Sequence, residues 1–367
     1  MGKPIDRITL SGFKSIAALE SFELRKLNVL IGANGAGKSN FVDYFRMLRA
    51  MADEAFQKHV LEAGGGDGFL FLGPKVTKEI SARVEFGGNW LKHVLQPTAS
   101  GSLLIETETT GYGSSSDTRS GLQESSLKSM KDQKSHNYPR YPGVGHYIYQ
   151  SVSSWTVYHF HDTSPLAAMR RDQPARDWER LRNDASNIAA FLLHLKESNA
   201  GTFDLIRDTV RLIAPFFDDF LLRPQEKGGN EQVRLEWQQK GSDFPFQPNQ
   251  LSDGTIRFIC LATALLQPAP PATVLIDEPE LGLHPYAVSI LGDLIKSAAE
   301  RTQVIISTQS ATLLDYFDAE DIVVVSRKHS RSTLERLNKE DLKEWLCDYS
   351  VGELWQKNVV QGGPSHE

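Results

Sequence analysis

The chain has 367 residues, 40% hydrophobic and 23% charged, which is enough apolar material for a sizeable globular core. A net charge of −6 rules out a global basic field drawing it onto nucleic acid, so any such contact rests on a local patch or a partner. Two distant cysteines, Cys260 and Cys347, argue against a disulfide framework or zinc knuckle; with no signal-like N-terminus and no membrane-length apolar run, a reduced cytoplasmic protein without membrane contact is expected.

Residues 5–31 read as short strands, with Ile5, Ile8 and Leu10 near an alternating pattern and LNVLI (27–31) as a compact apolar run. A glycine-rich turn follows, and apolar residues then take helical spacing from Asn40 to Met51. Residues 98–146 are rich in Ser, Gly and Lys and read as a mobile surface insertion. Its basic residues either touch nucleic acid or are simply solvated. Helical spacing returns between Pro174 and Leu222, at Trp178, Leu181, Ile188, Phe191, Leu192 and Leu195, and again from Phe203 to Ile213. No heptad run is long enough for an extended coiled coil. The β-branched runs 274–276, 304–306 and 322–325, separated by helical stretches, read as a buried parallel sheet. The expected organisation is one composite α/β domain in four stretches: 1–97, the insertion 98–146, a lobe of strand and helices at 147–250, and 251–367.

The turn after the third strand, Gly32-Ala33-Asn34-Gly35-Ala36-Gly37-Lys38-Ser39, fits GxxxxGK[ST] without a gap. Its glycines let successive amides face an anion, Lys38 reaches the β- and γ-phosphates, and Ser39 offers a hydroxyl to Mg²⁺. The following helix adds its positive end. Further on, the apolar run VLI (274–276) ends in Asp277 and Glu278. A carboxylate at that strand end suits Mg²⁺, and the next one suits a role in orienting the attacking water.

Leu251-Ser252-Asp253-Gly254-Thr255 resembles the signature of ABC-type ATPases in the form used by the SMC and RecF-like branch. Gly12-Phe13-Lys14-Ser15 is similar to the opening of the same branch, which lies near the nucleotide. Across WTVYHFHDTSP (155–165), LSDGTIRF, VLIDEPELGLHP and YSVGELW (349–355), the chain resembles standalone bacterial ATPases of that branch. The resemblance implies a P-loop NTPase head that binds ATP and Mg²⁺, with a parallel-containing sheet, antiparallel N-terminal strands and a helical lobe.

It further implies nucleotide contacts from Gly32, Asn34, Gly35, Ala36, Gly37, Lys38, Ser39, Asn40 and Lys14, metal contacts from Ser39 and Asp277, and water activation by Glu278. Ser252 and Gly254 would reach the ATP of a second copy, giving a homodimer through the ATP site, although Ser252 also suits a plain helix cap. The place of the switch histidine holds Gln309, which can hydrogen-bond the γ-phosphate or water but carries no charge, so slow hydrolysis is expected.

No glutamine of residues 54–90 fits a Q-loop, since Gln57 lies too near the phosphate loop. His284 falls in the D-loop position and serves either the trans site or loop packing. His159, His161 and Asp162 are of metal-ligand type, and alternation along a strand puts both histidines on one face, but a third ligand with clear spacing is missing and a structural or interface role is expected. The expected purpose is control of an effector nuclease or toxin encoded nearby in a bacterial defence system; the alternative is a genome-maintenance ATPase acting on DNA itself.

Overall fold

The computed structural model describes residues 2–135 and 138–360, so His136 and Asn137 of the expected insertion lie outside it. The chain divides into two compact units: Met1–Val157 with Pro271–Leu275 and Thr302–Glu367, and Tyr158–Pro270 with Ile276–Arg301.

Strands β1 (Arg7–Phe13) and β2 (Ile16–Glu23) form a hairpin turned at Lys14, whose φ is 48°. Strand β3 (Leu27–Ile31) is buried throughout, as an unbroken apolar run requires. Helices α1 (Lys38–Ala52) and α2 (Phe56–Glu62) precede four strands, β4 (Ile80–Phe86), β5 (Asn89–Pro97), β6 (Leu103–Tyr112) and β7 (Ser115–Leu122). Helix α3 (Val144–Ser154) and the short β8 (Thr156–Tyr158) follow.

The second unit holds β9 (Gln173–Pro174), helices α4 (Ile188–Ser198) and α5 (Ala200–Ile213), and strands β10 (Phe217–Leu221), β11 (Gln225–Lys227), β12 (Asn230–Val233), β13 (Glu236–Gln239) and β14 (Pro245–Phe246). Helix α6 (Asp253–Leu266) completes this run. The remaining elements are β15 (Thr273–Asp277), α7 (Pro285–Ala299), β16 (Gln303–Thr308), α8 (Ala311–Leu314), β17 (Ile322–Lys328), β18 (Arg331–Arg336) and α9 (Val351–Gln356).

Two six-stranded sheets dominate. One, in the order β2-β1-β4-β5-β6-β7, is antiparallel. The other runs β18-β17-β3-β16-β15-β8, with β3 parallel to β16 and β17 and β18 antiparallel to β17. This is the expected α/β class.

Alternation sets the first sheet's inner face: Ile80, Ala82, Val84 and Phe86 of β4 are buried, and the residues between them are half-exposed. Phe41, Tyr44, Phe45 and Leu48 give α1 an apolar stripe one turn apart, and Phe45 meets Trp155 ring to ring at 5.9 Å. Arg49 closes the end of α3 by donating to the carbonyls of Ser153 (2.7 Å) and Trp155 (2.9 Å). In the second unit, Asn199 ends α4 and caps α5, accepting from the Thr202 amide at 3.2 Å.

Three readings of the sequence are corrected. Residues 98–146 are not one loop: they carry β6, β7 and the start of α3. Their polarity misleads because β7 is an exposed edge strand, and because β6 buries Glu108, whose carboxylate takes hydrogen bonds from Ser125 and Ser126. Trp178 and Leu181 precede the helix at Ile188 instead of joining it; Trp178 stacks on His194 at 3.8 Å. His159 and His161 lie beyond the end of β8, with ring centroids 4.3 Å apart. Among the described residues no group of three or more His, Cys, Asp or Glu is placed to hold a metal ion. Among the described residues no helix is long and apolar enough to cross a membrane.

One buried polar group sets a pH limit on the first unit. His93 on β5 is fully buried, its ring stacks on Tyr44, and its Nδ1 has no hydrogen-bond partner among the described residues. Burial pushes its pKa down from 6.5 to about 4 and pushes Tyr44 well up. On acidification the unfolded chain therefore takes up the proton first. The stability that neutral His93 provides is complete above pH 6.5 and is lost as pH falls towards 4. Between pH 7.5 and 5 this amounts to about 2 kcal/mol. In urea unfolding at those two pH values, His93→Phe should lose less stability than wild type by about that amount; equal losses would show that His93 is not the titrating group.

Candidate functional site

In the first unit, the loop Gly32–Gly37 joins the buried strand β3 to α1. Gly35 and Gly37 take φ values of 78° and 113°, the left-handed region that a side chain resists. A Cβ on Gly37 would stand 2.2 Å from Ser332 Oγ and 2.7 Å from Ser15 Oγ, so this position has no room for one. Lys38 opens α1 almost fully buried, its Nζ donating to the carbonyls of Gly32 (2.5 Å) and Ala33 (3.2 Å). The ammonium is thus folded back over the loop that a phosphate chain would occupy. Ser39 is exposed beside it, a hard oxygen donor of the kind Mg²⁺ prefers. Left-handed glycines, a buried ammonium and that hydroxyl fit a Mg²⁺-bound phosphate chain.

The loop is braced from outside, by Ser15 of the opening motif, by Asn40 and by Ser332, which belongs to no motif. Ser332 on β18 donates to Ala36 O at 2.6 Å and accepts from the Ser15 hydroxyl at 2.7 Å. Asn40 donates to the same Ser15 Oγ at 2.7 Å. Asn40 and Ser15 therefore sit behind the loop, in a network with Ser332. Arg327 adds a bond to Gly35 O at 3.2 Å. Lys14 pairs with Asp43 at 2.7 Å, and its Nζ lies 5.2 Å from the centre of the Phe69 ring. Gln309 follows β16, whose Thr308 pairs with Ile31 of β3, so Gln309 and Gly32 leave neighbouring strands at one sheet edge. Gln57 is pinned to the carbonyls of Leu103 (2.8 Å) and Gln123 (2.6 Å).

In the second unit, Ser252 caps α6, its Oγ accepting from the Thr255 amide at 3.1 Å. A Cβ on Gly254 would stand 2.7 Å from Gly282 O, so the start of α6 lies directly on the turn after β15. That turn begins with Asp277, the last residue of β15, and Glu278, which takes a left-handed φ of 44°. A non-glycine residue holds such a conformation only where its surroundings impose it. His161 supplies one restraint, its Nε2 lying 2.9 Å from Asp277 O. His284 caps α7, its Nδ1 accepting from the Tyr286 amide at 3.2 Å, so the structure gives it a local role. Two arginines that sequence reasoning passed over, Arg170 and Arg257, hold this region through backbone carbonyls.

A family model described as "AAA domain, putative AbiEii toxin, Type IV TA system" matches residues 27–89 and 125–315. The unmatched stretch 90–124 contains β6 and β7. No curated protein matches the chain. Among solved structures it is similar to the SmcHead bound to the C-winged helix domain of ScpA, with a TM-score of 0.61 and 16% identity over 93% of this chain and 99% of that one. It is also similar to the Smc head domain with an extended coiled coil bound to the C-terminal domain of ScpA, derived from Pyrococcus furiosus, with a TM-score of 0.57 and 15% identity over 94% of this chain and 99% of that one. At these identities the likeness establishes the fold, the P-loop NTPase head of SMC proteins. The matched residues are more than half of the chain, and it belongs to this family of AAA domains, with the fold of an SMC head.

Proposed function

We propose that the chain binds and hydrolyses ATP, and that two copies close around two ATP molecules to control a separate effector. The observation that carries this reading is the loop at 32–37, where left-handed glycines and the buried, back-folded Lys38 shape an anion cradle at the start of a helix. In this reading Gly32, Asn34, Gly35, Ala36, Gly37 and Lys38 hold the phosphates, Lys14 adds a further nucleotide contact, and Asn40 also steadies the loop through Ser15. Ser39 and Asp277 hold Mg²⁺, which when bound neutralises charge on the β- and γ-phosphates. Glu278 accepts a proton from the attacking water, and Gln309 orients that water or the γ-phosphate. Ser252 and the Gly254 amide reach the γ-phosphate bound by the partner copy.

The effector role draws support from the family description, which names a putative toxin of a type IV system, and from the acidic net charge of −6. Such a role makes the chain the switch of a toxin or nuclease encoded nearby, working inside the cell. Strong stimulation of the lone chain's ATPase by DNA would instead favour direct action on DNA.

Glu278→Gln should bind ATP, lose hydrolysis by about 100-fold or more, and double in mass on adding ATP in light scattering. Lys38→Ala in the same background should remain at its nucleotide-free mass. A Glu278→Gln protein whose mass ignores ATP would defeat the closed-dimer reading. The neutral Gln309 leads to a second expectation, that steady-state turnover falls below the enzymatic median of about 10 s⁻¹. A faster rate in a coupled phosphate-release assay would show that a neutral residue there does not slow hydrolysis.

A further inference from the structure

The segment 155–165 resembles the family but carries no chemistry of its own, and the structure shows what it touches. Arg257 lies on α6, five positions after Ser252, and is 7% exposed. Its guanidinium spends its donors on main-chain carbonyls: Nε to Phe160 O at 3.0 Å, Nη2 to His161 O at 3.1 Å, and Nη1 to Leu281 O. The first two belong to the 155–165 segment and the third to the turn after Glu278. His161 then returns to the end of β15. Because Asp277 O is a carbonyl it can only accept, so His161 Nε2 carries the proton in this 2.9 Å bond. Arg170 makes a parallel connection, donating to Thr163 O (3.0 Å) and Leu251 O (3.2 Å) and pairing with Asp253 at 2.8 Å.

Every link in this chain of contacts lies within the second unit. The start of α6, the 160–163 backbone, the turn 278–282 and the end of β15 are bonded into one piece. A planar guanidinium has donors pointing in three directions, which is what three carbonyls from two separate segments require. Burial lowers the pKa of Arg257, a cost accepted where those carbonyls take up its N–H groups.

We propose that Arg257 and His161 are positioning residues that tie the signature helix to the Asp277–Glu278 turn of the same chain, so that engagement of the partner's ATP by Ser252 sets the geometry of the carboxylates serving the chain's own ATP. The proposal rests on the closed-dimer reading and extends it. In that dimer each subunit touches both nucleotides, one through its signature and the other through its turn. A rigid link between the two makes the sites cooperative. Neither side chain touches substrate; both act by holding Glu278 where its left-handed backbone aims it, and a misplacement of about 1 Å at such a group costs on the order of 100-fold in rate.

The test compares full-length wild type with Arg257→Lys, Arg257→Gln, His161→Gln and His161→Phe, each checked by thermal melting. Binding of a fluorescent ATP analogue, kcat and the Hill coefficient for ATP are measured for all of them. Expected is a cooperative wild type, with both Arg257 variants binding the analogue as wild type does but losing about 10-fold or more in kcat together with the cooperativity. Lysine keeps the charge but lacks the three-way fork, so it should fail as glutamine does. His161→Gln retains an N–H for Asp277 O and should stay within about threefold of wild type, whereas His161→Phe should fall with the Arg257 pair. A purely structural role would lower the melting temperature without separating glutamine from phenylalanine at position 161. If the Arg257 variants unfold, the His161 pair decides the matter. An active wild type without cooperativity, or His161→Phe equal to His161→Gln in kcat, overturns the link. A wild type that neither hydrolyses ATP nor, as Glu278→Gln, dimerises with it overturns the underlying reading instead.

Discussion

A buried ammonium cannot be left without oxygen atoms around it, and the first unit is arranged about that requirement at Lys38. Its Nζ reaches the carbonyls of Gly32 and Ala33 only because the loop between them curls back over the start of α1. That curl demands left-handed backbone at Gly35 and Gly37 and leaves no space at Gly37 for a methyl group. The curled loop in turn needs support from behind, which Ser15, Asn40 and Ser332 give through hydroxyl and amide bonds. The hairpin β1–β2, the helix α1 and the strand β18 thus meet at one loop although they lie far apart in sequence. The same curl that brings two carbonyls to the Lys38 ammonium also turns the loop amides towards one side, the arrangement of an anion nest.

The second unit meets the same physical demand with a different residue. Its turn at Glu278 is held in a conformation costly for a side chain, and the restraint comes from main-chain carbonyls gathered by arginines and a histidine. Serines suffice behind the phosphate loop, where one hydroxyl can donate and accept between neighbours a few ångströms apart. Segments as separate as 160–161, 251–253 and 281 need the reach and the several donors of a guanidinium.

This difference accounts for what could be read from the sequence. The strand, loop and helix around Lys38 are contiguous, and so are the run VLI with Asp277 and Glu278 and the cap at Ser252; periodicity and glycine placement mark them directly. Ser332 and Arg257 act on carbonyl oxygens, which every residue possesses, so no side-chain pattern announces them. Residues 98–146 were illegible for another reason. The strand β7 buries little, and the inward-facing Glu108 of β6 breaks the apolar alternation because its carboxylate is satisfied by Ser125 and Ser126. Trp178 and Leu181 kept helical spacing by coincidence, in a stretch where Asn187 donates to the carbonyls of Asp177 and Arg180 and ties the turns together.

His161 shows how these two kinds of legibility meet. Its ring was conspicuous in the sequence as a metal-ligand type, and its position beside His159 strengthened that look. In the structure its Nε2 faces the carbonyl of Asp277, an acceptor that fixes the proton on that nitrogen. A metal would need that nitrogen's lone pair, so the bond to Asp277 and ligation through the same atom exclude one another. The histidine is conspicuous because a rigid ring with one directed donor is well suited to restraining a strand end, and the strand end it restrains is the one that carries the candidate carboxylates. The 155–165 segment therefore fits the chemistry as a brace, and its importance lies in what it holds still.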